Sequence, residues 1–295
     1  MTDRTFDDRR ADDVVELLRS ASEIMRSHPG RRGAVDWIPA RGRLLATGDL
    51  HDNPMHFQKV VELARLDADP DHHVVLQELI HGERTMNGVD LSYRMLTKVA
   101  KLLLDHPGQV HPLLANHELA QMAGHSVSKG GGCMTTRFHE GLDYVFGEDA
   151  EAVFEVLRDF ILAMPLAART EHGIFCSHSL PGPAMMSRFD LDVLDRDLAD
   201  DDYEALVGSA WMMVWGRGHT AEQMDAIADR WGVSIFLLGH AFVENGIEIG
   251  GPRTILMNTD HERGAVLPID LDGPPPTVES AMFSVLPLSA VGSAP

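Results

Sequence analysis

An α/β fold is the class this sequence predicts, and three features predict it. Short β-branched or leucine-rich runs alternate with helical stretches from about residue 40 to residue 272, the alternation that lays helices on sheets. Several of the apolar runs end abruptly in Asp, Glu, Asn or His; in open α/β sheets the carboxyl ends of strands share one ligand-binding edge. At 295 residues, 44% hydrophobic and 24% charged, the chain is long enough to bury a substantial core and does not have the composition of a disordered one.

The elements follow in chain order. Residues 9–27 place Val14, Val15, Leu17, Leu18 and Ile24 on one face of a polar amphipathic helix, and "SHPGRRG" breaks it. Strands are expected over 44–47, 74–80, 110–115, 173–177, 234–238, 254–257 and 265–269. Between them apolar residues recur every three or four places near 54–66, 91–104, 152–162 and 221–231, which predicts helices. Residues 121–150, containing "SKGGGC", read as a long loop, and loops of that length are often functional. The end, "DGPPPTVESAMFSVLPLSAVGSAP", reads as a surface-hugging or loose tail. The expected organisation is an N-terminal helical extension (1–40), a main domain (41–272) and a Pro/Ser-rich tail (273–295), without repeats.

Charge narrows the function classes. With 25 basic and 45 acidic residues the net charge is -20, which opposes a broad footprint for nucleic acid or anionic lipid. The N-terminus lacks an apolar signal core and no 18-residue apolar run occurs, so neither export nor membrane spanning is expected and a cytoplasmic location is. Two cysteines, Cys133 and Cys176, are too few for a disulfide framework or a thiolate zinc site. The 16 histidines invite a search for metal ligands.

That search leads to the strand ends. "LLATGDLHDN" delivers Asp49 and His51, "VVLQELIHG" delivers Glu78 and His81, "HPLLANHELA" delivers Asn116, His117 and Glu118, "GIFCSHSLPG" delivers His178, and "SIFLLGHAF" delivers His240. Mixed oxygen and imidazole donors without thiolates suit manganese, iron or zinc better than calcium. Two such ions about 3.5 to 4 Å apart can activate a water and clamp both oxygens of an in-line phosphoryl displacement, provided a carboxylate bridges them. Read alone, "GDLHDN" is also a helix start, with Asn53 as N-cap before Pro54, and Glu78 is also readable as a surface carboxylate.

Taken in order, the motifs resemble the calcineurin-like metallophosphoesterases, closest to their PPP branch of serine/threonine protein phosphatases and the related small bacterial and phage enzymes. That pattern runs GDxHG, GDxxDRG, GNHE, a strand ending in His and a later strand ending in His. Here "GDLHDN", "ANHE", "CSHSLPG" and "LGHAF" fill four places, and the resemblance spans about residues 43–272. It implies a β-sandwich of two mixed sheets flanked by helices, a dinuclear centre of divalent or trivalent ions with manganese foremost and iron or zinc as alternatives, and a phosphorylated substrate, protein or small molecule. Asp49 and His51 match ligands of one ion; Asn116, His178 and His240 match ligands of the other. His117 matches the acid that protonates the leaving oxygen, and Arg217, in "WMMVWGRG", matches a phosphate-binding arginine, whose fork suits phosphate oxygens.

The second motif departs from the pattern, since GDxxDRG aligns with "QELIHGE". Glu78 replaces the bridging Asp, His81 replaces the Asp that partners the acid, and Gly82 replaces a phosphate-binding Arg; Arg84 is a candidate substitute from a shifted loop. His81 can hydrogen-bond His117 but cannot support a cationic imidazole as a carboxylate would. Two other readings therefore stand beside a phosphomonoesterase. One is a catalytically weak phosphate-binding relative, and the other a phosphodiesterase or nucleotide pyrophosphatase. Against the diesterase, many such enzymes end in GHxH, where this chain has Phe242. His56, His72, His73, His106, His111 and His139 read as surface or structural residues, His261 as a possible pocket residue, and the acidic run "DLDVLDRDLADDDYE" as a solvated face.

Overall fold

Apolar runs buried on both faces need cover on two sides, and the chain supplies it by stacking two mixed sheets and flanking them with helices. The computed structural model describes residues 5–124, 128–129 and 132–292. The strands are β1 (Arg31–Arg32), β2 (Val35–Ile38), β3 (Arg43–Asp49), β4 (His72–Gln77), β5 (Val110–Leu113), β6 (Ser128–Lys129), β7 (Gly132–Cys133), β8 (Ala167–Thr170), β9 (Ile174–Ser177), β10 (Ile235–Leu238), β11 (Ile247–Gly251), β12 (Thr254–Met257), β13 (Ala265–Asp270) and β14 (Leu286–Pro287). The helices are α1 (Ala11–Arg26), α2 (Pro54–Ala64), α3 (Tyr93–Asp105), α4 (Asn116–Ala123), α5 (Met134–Phe146), α6 (Ala150–Leu162), α7 (Ser209–Trp215), α8 (Ala221–Trp231) and α9 (Val278–Met282).

The larger sheet runs β1-β2-β8-β9-β10-β12-β11 and the smaller β14-β13-β3-β4-β5. Each contains a parallel trio, β9-β10-β12 in one and β3-β4-β5 in the other. Period-two alternation sorts the side chains. Leu44, Ala46, Val75, Ile174, Cys176, Ile235, Leu237 and Ile255 fill the layer between the sheets, while Leu45, Val74, Leu76, Phe175, Phe236 and Leu238 turn outward under the helices. α1 packs on α3 and α6, burying Val14, Leu18, Ala21 and Met25. α2 opens as its sequence dictates, Asn53 accepting the His56 N–H at 3.1 Å ahead of Pro54.

Several boundaries differ from the expectation. The stretch 121–150 is mostly helix: α4 runs to Ala123, α5 occupies Met134–Phe146 and α6 begins at Ala150. Met134, Phe138, Leu142 and Phe146 form a buried stripe at four-residue spacing that the neighbouring glycines masked; residues 125–127 and 130–131 of that stretch lie outside the described residues. β4 stops at Gln77 because Glu78 turns left-handed (φ 48°). Residues 31–38 add β1 and β2 to the larger sheet, so the first forty residues are not helical alone. The tail forms α9, and β14 pairs antiparallel with β13.

Candidate metal centre

The carboxyl ends of the two parallel trios meet along one edge. Asp49 closes β3, Glu78 follows β4, Asn116 opens α4 after β5, His178 follows β9 and His240 lies just beyond β10. The sheets are tied here by backbone: Thr259 N–H donates to the Asp49 carbonyl at 3.0 Å, and His240 N–H donates to Asp49 Oδ1 at 2.9 Å. Gly239 permits that approach, since a Cβ there would lie 2.4 Å from Asp49 Oδ1 and 2.5 Å from Gln77 Oε1.

At the centre, Asn116 Oδ1 lies 2.7 Å from His178 Nε2 and 2.9 Å from His240 Nδ1, and Glu78 Oε2 lies 3.0 Å from His178 Nε2. His178 is fully buried, and its Nδ1–H donates to Gln77 Oε1 at 2.9 Å, which turns Nε2 toward Glu78 and Asn116. Beside this group, His51 Nδ1 lies 3.2 Å from the Ile80 carbonyl, its ring 5.0 Å from that of His117. His117 Nε2 is 3.9 Å from Glu78 Oε1, which also accepts the His117 backbone N–H at 3.2 Å. Asp49, His51, Glu78, Asn116, His117, Arg217 and His240 line one cleft of about 340 Å³, with Phe242, Asn258 and Asp260 completing it.

Two expected site residues do not reach the cleft. His178 sits behind Asn116 but joins the cluster through Nε2. His81, also fully buried, lies beside His117 with ring centroids 5.5 Å apart and planes tilted by 56°. Arg84 is exposed and outside the cleft lining, and Gly82 has no room for the arginine of the family pattern: a Cβ there would stand 2.3 Å from the His51 carbonyl oxygen. His261 also stays off the cleft lining, bonding the Val243 carbonyl through Nε2.

The electrostatics are those of a crowded cluster. Burial, then the Glu78 charge, pushes the Asp49 carboxyl up to about 6. Burial alone would also raise Glu78, but the imidazoles of His178 and His117 outweigh it and hold that carboxyl well below its usual range. Burial and the neighbouring His178 push His240 down to about 2. His51 (φ 42°), Glu78 (φ 48°), His81 (φ 60°) and His240 (φ 64°) are four of the eight non-glycine residues with positive φ among the described residues, a concentration of backbone strain of the kind that marks functional sites.

The donor chemistry fits cations. With its oxygen turned inward Asn116 faces only acceptors, and turning the amide would let its nitrogen donate to His240, His178 and both Glu78 oxygens. A cation among these atoms would satisfy the same acceptors with the oxygen facing in. Glu78, His178 and His240 form one candidate ligand group and His51, Glu78 and His117 another, each with ligand atoms within 4.8 Å of one another, and Glu78 is common to both.

The sequence profile of the calcineurin-like phosphoesterase family matches residues 42–243. The chain belongs to that family. It is accordingly a metal-dependent phosphoesterase, and its two mixed sheets with flanking helices are the metallophosphoesterase fold. The fold is similar to that of a protein serine/threonine phosphatase from Saccharomyces cerevisiae with similarity to human phosphatase PP5 (TM-score 0.65, 13% identity, 88% of this chain and 83% of that one). It is also similar to a cold-active protein-tyrosine phosphatase of a psychrophile, Shewanella sp. (TM-score 0.53, 15% identity, 85% and 80% covered). No curated protein sequence matches the chain at a significant level. No helix among the described residues of this metallophosphoesterase is long and apolar enough to cross a membrane.

Sequence reasoning missed Gln77 and Asn258, and it named Glu118 at a strand end without giving it a role. Asn258 ends one more apolar run, the same signal that singled out the other cleft residues. Glu118 accepts the Leu79 and Ile80 N–H groups at 2.7 and 3.1 Å and so shapes the loop that carries Glu78 and His81. Burial, then the charge of Glu78, pushes its carboxyl up to about 7.

Proposed function

We propose that this metallophosphoesterase is a phosphomonoesterase, phosphatase-like in its substrate class, whose ions are held by Asp49, His51 and Glu78 on one side and by Glu78, Asn116, His178 and His240 on the other. The observation that carries the reading is the convergence of Asn116, His178, His240 and Glu78 at 2.7 to 3.0 Å in a cleft that Arg217 also lines. When bound, the ions, manganese foremost and iron or zinc as alternatives, supply Lewis acidity and lower the pKa of a water.

The chain's own residues do the rest. Arg217 offers two parallel N–H donors to the phosphoryl oxygens, fixing the ester and offsetting charge that builds on it. His117 presents Nε2 on the Glu78 side, where it donates a proton to the departing oxygen. Phe242, 76% exposed at the cleft, stands where many diesterases carry a further histidine, which favours a monoester.

The test is hydrolysis of p-nitrophenyl phosphate and bis(p-nitrophenyl) phosphate by manganese-loaded protein, with metal content measured in parallel. The expected result is monoester turnover that chelation abolishes, with turnover of phenyl phosphate, whose leaving group needs a proton, lowered about 100-fold by His117→Ala. Faster diester turnover would overturn the monoesterase reading, and equal rates for the native and His117→Ala proteins would leave a phosphate-binding module.

A further inference from the structure

His81 stands where the family pattern puts the carboxylate that partners the acid, and an imidazole alone is a poor substitute. Behind it, however, lies Asp90, as completely buried as His81. The His81 Nδ1 is 2.8 Å from Asp90 Oδ2, the other Asp90 oxygen accepts the Ser92 N–H at 2.8 Å, and the Ser92 hydroxyl accepts the His81 N–H at 3.1 Å. A left-handed backbone at His81 and the Phe138 ring, nearly perpendicular with centroids 5.7 Å apart, complete the seat. A carboxylate can only accept here, so in its neutral form His81 carries its proton on Nδ1 and its lone pair on Nε2. That Nε2 is buried with no hydrogen-bond partner among the described residues, on the ring that packs 5.5 Å from His117.

We propose that Asp90 is a positioning residue for the leaving-group acid: it fixes the tautomer of His81, so that the Nε2 lone pair is presented to the neighbouring His117 imidazole as an acceptor for its Nδ1–H, which keeps the His117 Nε2 toward the ester. The carboxylate absent from the second motif is thus supplied one side chain further back. This rests on His117 as the proton donor.

Asp90→Asn tests it. The Ser92 N–H claims the amide oxygen, so the amide nitrogen faces His81 Nδ1 and forces the opposite tautomer, with a hydrogen on Nε2 that His117 cannot accept while its own Nδ1 is protonated. In the metal-loaded protein the kcat for phenyl phosphate, whose leaving group needs a proton, should fall about 100-fold with KM and metal content unchanged. That for 2,4-dinitrophenyl phosphate, whose leaving group needs none, should change less than about threefold. An equal fall for both esters in a folded variant would overturn the proposal, since a structural role costs both alike. If the variant does not fold, ¹⁵N NMR of the zinc-loaded native protein decides, with His81 assigned by its loss in His81→Gln. Nδ1–H with bare Nε2 is expected, and Nε2–H would overturn the assignment. A native protein inactive on both esters would sink the phosphatase reading itself, while the tautomer measurement would still decide the Asp90–His81 pair.

Discussion

Gln77 Oε1 accepts the Nδ1–H of His178 at 2.9 Å, and the same amide is held from flipping because its nitrogen donates to the Thr47 carbonyl at 2.8 Å. A side chain that never meets the cleft therefore chooses which nitrogen of His178 faces it. Gln77→Leu should weaken metal binding about 10- to 100-fold with the fold intact, as read by competitive metal titration and circular dichroism. Unchanged affinity would mean that His178 needs no such guide.

Glu78 is the one carboxylate common to both candidate ligand groups. Glu78→Ala should strip at least one ion and with it turnover, measured by elemental analysis and monoester hydrolysis. Retention of both would show that no shared carboxylate is needed.

Gly82 decides why the second motif could not keep its arginine. Gly82→Ala places a methyl 2.3 Å from the His51 carbonyl oxygen, so either the loop or His51 must move. A loss of about 1 to 3 kcal/mol is expected in thermal or denaturant unfolding, accompanied by reduced metal occupancy. Native-like stability in Gly82→Arg would instead show the loop to be accommodating.

A second buried cluster gives a pH signature. His73 lies 3.2 Å, Nδ1 to Nε2, from His111, whose Nδ1 is 3.1 Å from Asp36 Oδ2. Burial, then the neighbouring His111 and His28, pushes His73 down to about 3 from an ordinary 6.5. The unfolded chain takes up this proton first, so the stabilising share of His73 is whole above pH 6.5 and shrinks as pH falls toward 3. Between pH 6.5 and 5 that amounts to about 2 kcal/mol. His73→Gln retains a donor for His111 and should lose correspondingly less stability than the native protein between pH 7 and 5, compared by unfolding in chelator. Equal losses would refute the assignment.

Much of the architecture was legible because both-faced burial leaves continuous apolar runs, and β3, β9, β10, β12 and β13 fall where such runs predict them. The positions of Asp49, His51, Glu78, Asn116, His117 and His240 on a common cleft follow from the same reading, since a polar residue at the carboxyl end of an apolar run has few other places to point, whereas Arg217 was singled out only by the family resemblance. What could not be read is what acts across sequence distance. Nothing near Gln77 announces His178, and nothing near Asp90 announces His81, because each pairing depends on how loops fold over the sheet edge. α5 was hidden differently: its four-residue stripe follows a glycine cluster that reads as loop.

The antiparallel pairing of Leu286–Pro287 with Ala265 and Val266, secured by the Leu288 N–H to the Gly264 carbonyl at 2.9 Å, gives this short strand a protective task. They occupy the outer rim of the smaller sheet, and Pro287, lacking an N–H, discourages another strand from adding there. Shortening the chain before Leu286 would bare an unsatisfied row of peptide groups, and the truncated protein would be expected to gather into oligomers by edge-to-edge association while its catalytic end remained unaltered.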